Sequence, residues 1–171
     1  MKTIIQQRIS ALRESMKHFG LGAYIIPSSD PHLSEYPADC WKSRQWISGF
    51  TGSAGTVVVT ADKAGLWTDS RYFLQASKEL EGSGIELYKA GLPETPGIAA
   101  FLLRNLNENE TVGLDGQTYS VADAVELNSV LKKKKISLDV SRDLIHAIWK
   151  DRPALPGGML FELPIEYSGK P

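Results

Sequence analysis

Apolar residues near the start of the chain recur at the spacing of a helix. They are separated by four, three and four positions, which aligns them on one face of a helix over residues 3–18. The residues of this stripe are Ile5, Ile9, Leu12 and Met16. Gly20 and Gly22 follow, and glycine is a common helix terminator. The pattern predicts an amphipathic first helix that ends before Gly20.

Beyond this helix, short apolar runs typical of buried strands alternate with stretches of helical periodicity. The predicted strands cover residues 23–26, 57–59, 64–67, 85–88, 111–114 and 136–140. The predicted helices cover residues 39–47, where the pattern is weak, then 70–80 behind a cap at Asp69 or Ser70, 96–106, 121–131 and 142–149. This alternation predicts an α/β fold in which helices cover the faces of a largely parallel or mixed β-sheet.

The last part of the chain has a different character. Residues 151–158 contain prolines and glycines that interrupt regular structure. Residues 159–171 show too little apolar periodicity for a core element. We therefore expect one domain over residues 1–158, followed by a tail or linker into a second domain over residues 159–171.

The composition is that of a soluble globular protein, with 42% hydrophobic and 23% charged residues among 171. The formal net charge of −1 argues against a nucleic-acid partner. Cys40 is the only cysteine, which excludes an internal disulfide and fits a reducing compartment. The charged first helix lacks the apolar core of a signal peptide, and no apolar run approaches the roughly 20 residues of a membrane span. We expect a cytoplasmic protein with no membrane partner.

The segment Gly52-Ser-Ala-Gly55 is a first candidate for binding chemistry. Its glycines permit an anion-binding arrangement of backbone N–H groups, or a tight turn into the strand at residue 57. It lacks the lysine and length of a phosphate-binding loop. Ser53 is a poor candidate nucleophile, because the order of residues is not Gly-x-Ser-x-Gly. The residues favour the turn over the ligand cradle.

Three further features have ordinary explanations beside their functional ones. Asp30, His32 and Glu35 lie close together in the sequence, but no second ligand cluster accompanies them, which favours surface polar residues over a metal site. Cys40 has no thiol-activating pattern, so we expect it to be partly buried and inert. Residues 132–135 are four lysines at a helix end, where a solvated face is favoured over a nucleic-acid patch.

The stretch Trp67-Thr-Asp-Ser-Arg-Tyr-Phe73 carries the strongest functional signal. It places Asp69, Arg71 and Tyr72 at a strand-to-helix junction, and such junctions border the ligand crevice of α/β sheets. An arginine there can clamp a carboxylate or a carbonyl while Asp69 orients it. Alternatively, Asp69 caps the helix and holds Arg71 in a structural ion pair. Both interpretations stay open at this point.

Several stretches together resemble the first domain of the cytosolic type of three-domain aminopeptidase P. They occur in the family's order and cover residues 23–36, 48–56, 66–76 and 148–153. Two of them are Ser48-Gly-Phe-Thr-Gly-Ser-Ala-Gly-Thr56 and Leu66-Trp-Thr-Asp-Ser-Arg-Tyr-Phe-Leu-Gln-Ala76. The resemblance implies the creatinase/prolidase N-terminal fold, an α/β domain whose mixed sheet is flanked by helices with ribonuclease H-like topology.

This resemblance also implies a metallopeptidase activity for the longer protein. The family removes the N-terminal residue from peptides whose second residue is proline. Its C-terminal catalytic domain uses two Asp, one His and two Glu to hold two divalent metal ions, usually manganese. We expect that domain to be absent here, so we expect no metal in this chain and no hydrolysis by it alone. The implied partners are the protein's own second and catalytic domains, a peptide with proline at position 2, and a second subunit if a homodimer forms.

Individual residues acquire roles by the same resemblance. Arg71 matches the arginine that reaches the substrate in the assembled enzymes, with Asp69 and Tyr72 beside it. Ser70 stands where many relatives have glycine, which bears on the orientation of Arg71. The residues that shape the neighbouring loop are Gly52, Ser53 and Gly55. No residue of this chain is expected to be catalytic or to bind metal.

Two functions of other classes stay as alternatives. One is a stand-alone module that binds a peptide or a protein without catalytic activity. The other is a metal-dependent nuclease, which ribonuclease H-like topology alone would suggest. Fold analogy is weak evidence for function, and Asp69 and Asp115 do not make the carboxylate cluster that two-metal phosphoryl transfer requires.

Overall fold

A six-stranded mixed sheet forms the centre of the molecule. The computed structural model describes residues 2–169. The strands are β1 (Ala23–Pro27), β2 (Thr56–Thr60), β3 (Ala64–Thr68), β4 (Glu86–Lys89), β5 (Thr111–Leu114) and β6 (Ser137–Asp139). Their order across the sheet is β4-β3-β2-β1-β5-β6. The expected α/β class with a mixed sheet is therefore confirmed.

Only β2 runs against the other strands. It is antiparallel to both β1 and β3, whereas β4 pairs with β3, β5 with β1 and β6 with β5 in parallel. A three-stranded meander is thus extended by parallel strands on both sides, as ribonuclease H-like topology implies. The five parallel strands end at one edge of the sheet, which brings together the residues that follow β1, β3 and β5.

Helices cover both faces of this sheet. They are α1 (Lys2–His18), α2 (Ser43–Ser48), α3 (Phe73–Glu79), α4 (Ile98–Asn105), α5 (Val121–Lys132), α6 (Leu144–Ile148) and α7 (Ile165–Ser168). One core cluster holds the apolar side of α1 with residues of α2, α3 and α6, and the other holds residues of α4 and α5. Central strands contribute to both clusters: Tyr24 and Ile26 of β1 face one, and Ile25 faces the other. Burial on both faces explains why β1 is continuously apolar.

The predicted elements are present, with three local differences. The weak helical pattern at residues 39–47 forms a 3-10 turn at Asp39–Trp41 before α2 begins at Ser43. Behind Asp69 the chain also makes a 3-10 turn, Ser70–Tyr72, before α3. A further 3-10 turn at Gly116–Thr118, capped by the Asp115 carboxylate, was not predicted. No helix among residues 2–169 has the length and apolarity to cross a membrane.

The lysine run at residues 132–135 is only partly a solvated face. Lys132 and Lys133 are exposed, as expected. The Lys134 ammonium instead donates to the carbonyl oxygens of Leu103 (2.8 Å) and Leu106 (2.6 Å), at the end of α4. A cation is favoured there, because the last carbonyls of a helix lack partners and carry partial negative charge.

After α6, the chain leaves the core. Residues 153–169 are exposed, and their single regular element is α7. The last two residues of the predicted tail, 170 and 171, lie outside the described residues, as does Met1 of the predicted domain.

Candidate functional site

The strongest candidate site lies where β3 ends, at the edge shared by the parallel strands. The Asp69 carboxylate caps the following 3-10 turn by accepting the backbone N–H of Arg71 at 3.1 Å. It also binds the Arg71 guanidinium through two bonds, Nε to Oδ1 at 2.8 Å and Nη2 to Oδ2 at 2.9 Å. The cap and the ion pair proposed from the sequence are therefore both present, on the same carboxylate.

The guanidinium of Arg71 is oriented by this pair but stays open to solvent. The side chain of Arg71 is 66% exposed. Hydrogen bonds from Arg71 hold the pKa of Asp69 down to about 2, and Asp69 in turn raises the pKa of Arg71. Asp69 uses two of the five guanidinium N–H groups, which leaves both protons of Nη1 and one of Nη2 for a further acceptor.

Tyr72 joins this turn to the glycine loop. Its hydroxyl lies 2.7 Å from Oγ of Ser53, and its ring packs edge-on against Phe50 with a centroid distance of 5.9 Å. The Arg71 guanidinium carbon lies 5.1 Å from the centroid of the same tyrosine ring. The structure thus brings together Arg71, Tyr72 and the Ser53 loop, which are separated by about twenty positions in the sequence.

The loop itself is built around a buried arginine that the sequence analysis missed. Arg44 of α2 donates from Nε to Oγ of Ser28 (2.7 Å), from Nη1 to the Phe50 carbonyl (2.5 Å) and from Nη2 to the Gly52 carbonyl. Burial lowers the pKa of Arg44 to about 10. The loop therefore directs carbonyl oxygens toward the Arg44 cation. This favours a structural turn over an anion-binding site, which would present backbone N–H groups. The only sequence signal was an arginine in a short, otherwise buried helix.

Gly52 and Gly55 are required by close packing at this loop. A Cβ atom on Gly52 would lie 2.3 Å from Cζ of Phe50 and 2.7 Å from Cδ1 of Tyr72. A Cβ atom on Gly55 would lie 3.0 Å from the Trp67 carbonyl oxygen. The glycines thus let the loop approach the aromatic rings and β3 directly.

A second clamp comes from α3. The Glu79 carboxylate accepts the backbone N–H and the hydroxyl of Thr51, each at 2.8 Å, and Nε2 of Gln75 at 3.0 Å. Partial burial would raise the pKa of Glu79, but these hydrogen bonds outweigh it and lower the pKa. Arg44 binds the carbonyls of Phe50 and Gly52, and Glu79 binds Thr51 between them, so the start of the loop is held by groups of this chain.

An open cleft of about 170 Å³ adjoins the loop. Its lining includes Trp41, Tyr36, Glu35 and the loop residues Gly52 and Ser53. Asp69 is the main cause of the raised pKa of Arg71, and the negative charge of Glu35 adds the smallest contribution to it. From the sequence, Glu35 was weighed as a metal ligand and favoured as a surface polar residue, and the structure places it in the lining of this cleft.

The loop from Asp30 to Glu35 is organised by backbone hydrogen bonds. The Asp30 carboxylate accepts the N–H groups of His32 (2.9 Å) and Ser34 (3.0 Å), and the bond from Ser34 is the main cause of its lowered pKa. Residues 2–169 contain no group of three His, Cys, Asp or Glu side chains arranged to hold a metal ion. Cys40 is buried.

A second cleft, of about 410 Å³, lies on the other side of Trp41. Arg152 closes one end of it by donating from Nε to the Cys40 carbonyl at 2.7 Å and by pairing with the Asp143 carboxylate. Burial, together with the charge of Asp143, raises the pKa of Asp115 in its wall. The Arg152 contacts anchor the segment that leaves the domain.

The fold and the site define an α/β domain that presents an oriented cation beside a cleft. The sequence model of the Creatinase/Prolidase N-terminal domain matches residues 8–146. Aminopeptidase P2 of Arabidopsis thaliana is 43% identical over 173 residues, covering 98% of this chain and 24% of the relative.

Solved structures show the same architecture. The X-prolyl aminopeptidase of Caenorhabditis elegans, described as a cytosolic enzyme with a di-nuclear active site, has a TM-score of 0.87 at 32% identity. The match covers 96% of this chain and 28% of that one. The N-terminal domain of the cytoplasmic peptidase PepQ of Mycobacterium tuberculosis shares the fold, with a TM-score of 0.59 at 22% identity over 83% of this chain and 98% of that one.

This chain belongs to the Creatinase/Prolidase N-terminal domain family, and its relatives are aminopeptidases P. It spans about a quarter of the length of the Arabidopsis and Caenorhabditis elegans aminopeptidases.

Proposed function

We propose that this chain is the non-catalytic N-terminal domain of a cytoplasmic, metal-dependent Xaa-Pro aminopeptidase. In this role it shapes the entrance to the active site and contributes Arg71 as a contact to the peptide. The observation that carries the proposal is the exposed guanidinium of Arg71, which Asp69 holds in place beside the cleft.

The pairing with Asp69 suits Arg71 to a peptide. An unpaired guanidinium samples many positions, and fixing it costs side-chain entropy on binding. Here Asp69 fixes it before the ligand arrives, and the free N–H groups of Nη1 point to an acceptor other than Asp69. Because Asp69 already neutralises the cation, a carbonyl oxygen of the peptide backbone is the acceptor we assign.

The hydrolytic chemistry belongs to the part of the protein outside this chain. Two divalent metal ions, manganese by resemblance, would activate water and polarise the scissile carbonyl there. The partners proposed for this domain are the protein's own second and catalytic domains and a peptide with proline at position 2. A homodimer of the longer protein is a further part of the proposal.

Substitution Arg71→Ala in the longer enzyme tests this role. The loss of a charge-assisted hydrogen bond should lower kcat/KM for a Xaa-Pro peptide by about 1–3 kcal/mol of transition-state binding. Arg104→Ala is the matched control, because Arg104 is an exposed arginine on α4, away from the cleft. Kinetics equal to those of the control would exclude a substrate contact by Arg71.

A stand-alone binding module is the second candidate. It is favoured by the open cleft of about 170 Å³ that residues of this chain line. Calorimetric titration of the chain with Xaa-Pro peptides separates the two functions. Micromolar or tighter binding by the chain alone supports the module, and the absence of measurable heat supports a domain that acts only within the enzyme.

A further inference from the structure

The exposed tail carries a pattern of apolar residues that the fold leaves without partners. Met159 is 91% exposed and Phe161 is 82% exposed, although the domain buries most side chains of this kind. The large apolar residues exposed in this segment are Met159, Leu160, Phe161, Leu163, Ile165 and Tyr167. A concentration of exposed large apolar residues normally marks a contact with another part of a protein.

The spacing of these residues is that of a strand. All but Leu160 occupy odd-numbered positions, and they alternate with Glu162, Pro164, Glu166 and Ser168. From Phe161 to Ser168 the alternation is unbroken, and in a strand it gives one apolar face and one mainly polar face.

Pro164 argues against a helix through the whole segment. Proline disfavours helical geometry in the preceding residue, and it cannot donate to a helical carbonyl. The helix α7 begins directly after Pro164, lacks a side-chain cap and comprises four residues, so local interactions stabilise it little.

Pro164 is compatible with a strand that pairs on one side only. In a strand, the N–H and C=O groups of alternate residues point to opposite sides. If the odd-numbered residues pair with a neighbour, the even-numbered residues face outward, where the missing N–H of Pro164 costs nothing. The same odd-numbered residues would supply both the apolar contacts and the backbone hydrogen bonds.

The comparisons favour the rest of the longer protein as the partner that covers the apolar side chains of this segment. The family match ends at residue 146, before this segment begins. The similarity to the Arabidopsis relative nevertheless covers 98% of this chain, while three-quarters of that relative lies outside the match. The shared sequence thus extends past the domain into this segment, and most of the relative lies outside the match.

We infer that residues 159–167 form an amphipathic edge strand that adds to a sheet edge in the domain that follows in the longer protein. This inference rests on the proposed placement of the chain as an N-terminal domain. The strand begins shortly after Arg152, which is anchored to Asp143 and Cys40. A docked strand tied to this anchor would fix Arg71 and the cleft lined by Ser53 relative to the next domain.

Hydrogen exchange at single-residue resolution tests the pairing directly. In the longer protein, the N–H groups of Phe161, Leu163 and Ile165 should exchange at least about 100-fold more slowly than in this chain alone. Those of Glu162 and Glu166 should change little. Equal exchange in the two proteins, or protection without alternation, overturns the edge strand. The readout does not depend on peptidase activity, so it is separate from any failure of the proposed function.

A matched pair of substitutions tests the apolar face. Phe161→Asp and Leu160→Asp change adjacent exposed residues that belong to opposite faces of the inferred strand. In the longer protein, Phe161→Asp should increase the rate of proteolysis at Leu163 and Ile165 by about tenfold or more relative to Leu160→Asp, because cleavage follows opening of the docked segment. In this chain alone, the two variants should be cleaved equally fast.

Equal cleavage of the two variants in the longer protein would overturn the inference. The inference would also be overturned if sedimentation showed a concentration-dependent dimer of this chain that Phe161→Asp abolishes. A second copy of the chain would then be the partner of the apolar face.

Discussion

At the scale of single residues, the site depends on close contacts between a few groups. Arg71 has a defined orientation because Asp69 binds it at two atoms, and Tyr72 has one because Ser53 and Phe50 contact it. The side chains of Arg71 and Asp69 are 66% and 41% exposed, so the ion pair itself contributes little to stability, in the range of surface salt bridges. The ion pair therefore orients Arg71, whereas the packing of Tyr72 against Phe50 contributes more to the free energy of unfolding.

Gly52→Ala should disturb this packing. The added Cβ would overlap the rings of Phe50 and Tyr72, and overpacking of this kind costs about 1–3 kcal/mol of unfolding free energy. Displacement of Tyr72 should also lower kcat/KM in the longer enzyme. Gly157→Ala is the control, because no atom lies within 4 Å of a Cβ there. Urea denaturation of both variants measures the difference, and equal stabilities would refute the packing argument.

Arg44→Lys should destabilise the domain although the charge is kept. A lysine ammonium cannot reproduce the planar guanidinium of Arg44, which donates hydrogen bonds to Ser28, Phe50 and Gly52 at the same time. At least one buried carbonyl is then left unpaired, which costs about 1–3 kcal/mol. Chemical denaturation checks the value against Arg104→Lys, an exposed position. A loss no larger than that of the control would show that the fork is dispensable.

At the scale of elements, a long-range bond ties the closing helix to the sheet. The Tyr24 hydroxyl of β1 donates to the Arg142 carbonyl at 2.6 Å and accepts the Leu144 N–H at 3.0 Å. Burial raises the pKa of Tyr24, so the hydroxyl stays protonated and able to donate at neutral pH. The start of α6 is thus positioned by a side chain about 120 positions earlier in the sequence.

Removal of that hydroxyl should loosen α6. Tyr24→Phe leaves the buried Leu144 N–H without its partner, and we expect a loss of about 1–3 kcal/mol. The amides of α6 should also exchange faster with solvent. Tyr36→Phe serves as the reference, since Tyr36 is 83% exposed. If the melting temperatures of the two variants agree, the hydrogen bond between Tyr24 and Leu144 does not contribute to stability.

At the scale of the whole molecule, two core layers enclose the sheet and leave its C-terminal edge open. Residues after β1 and β3 meet there, together with the loop that Arg44 holds. This arrangement makes the domain rigid behind the cleft, while the tail beyond Arg152 is exposed. A domain of this kind can position a substrate for chemistry that takes place elsewhere in a longer protein.

Chelation should affect the domain and the longer enzyme differently. Residues 2–169 contain no cluster of side chains that could hold a metal ion, so a chelator should leave the melting temperature of this chain unchanged. The same treatment should abolish Xaa-Pro peptidase activity of the longer enzyme. A lower melting temperature of this chain would instead point to a metal bound at Asp30 and His32.

Much of the fold could be predicted from the sequence, because the interactions that define it are local and periodic. The stripe from Ile5 to Met16 determines one face of α1, and the apolar run of β1 requires burial on both faces. The cap formed by Asp69 acts over two residues, so it was also visible in the sequence. Element ends and 3-10 turns were less accessible, since they depend on single hydrogen bonds such as that from Gln117 to Asp115.

The sequence by itself determined the α/β class, the two-sided core and the candidate arginine, since these follow from spacing and residue type. Only the tertiary structure decided which groups surround that arginine. Tyr72, next to Arg71, meets Ser53, and the Glu79 carboxylate binds Thr51, through chain reversals that no local pattern encodes. Their proximity follows from strand order, because the parallel strands end at one edge and bring distant segments together.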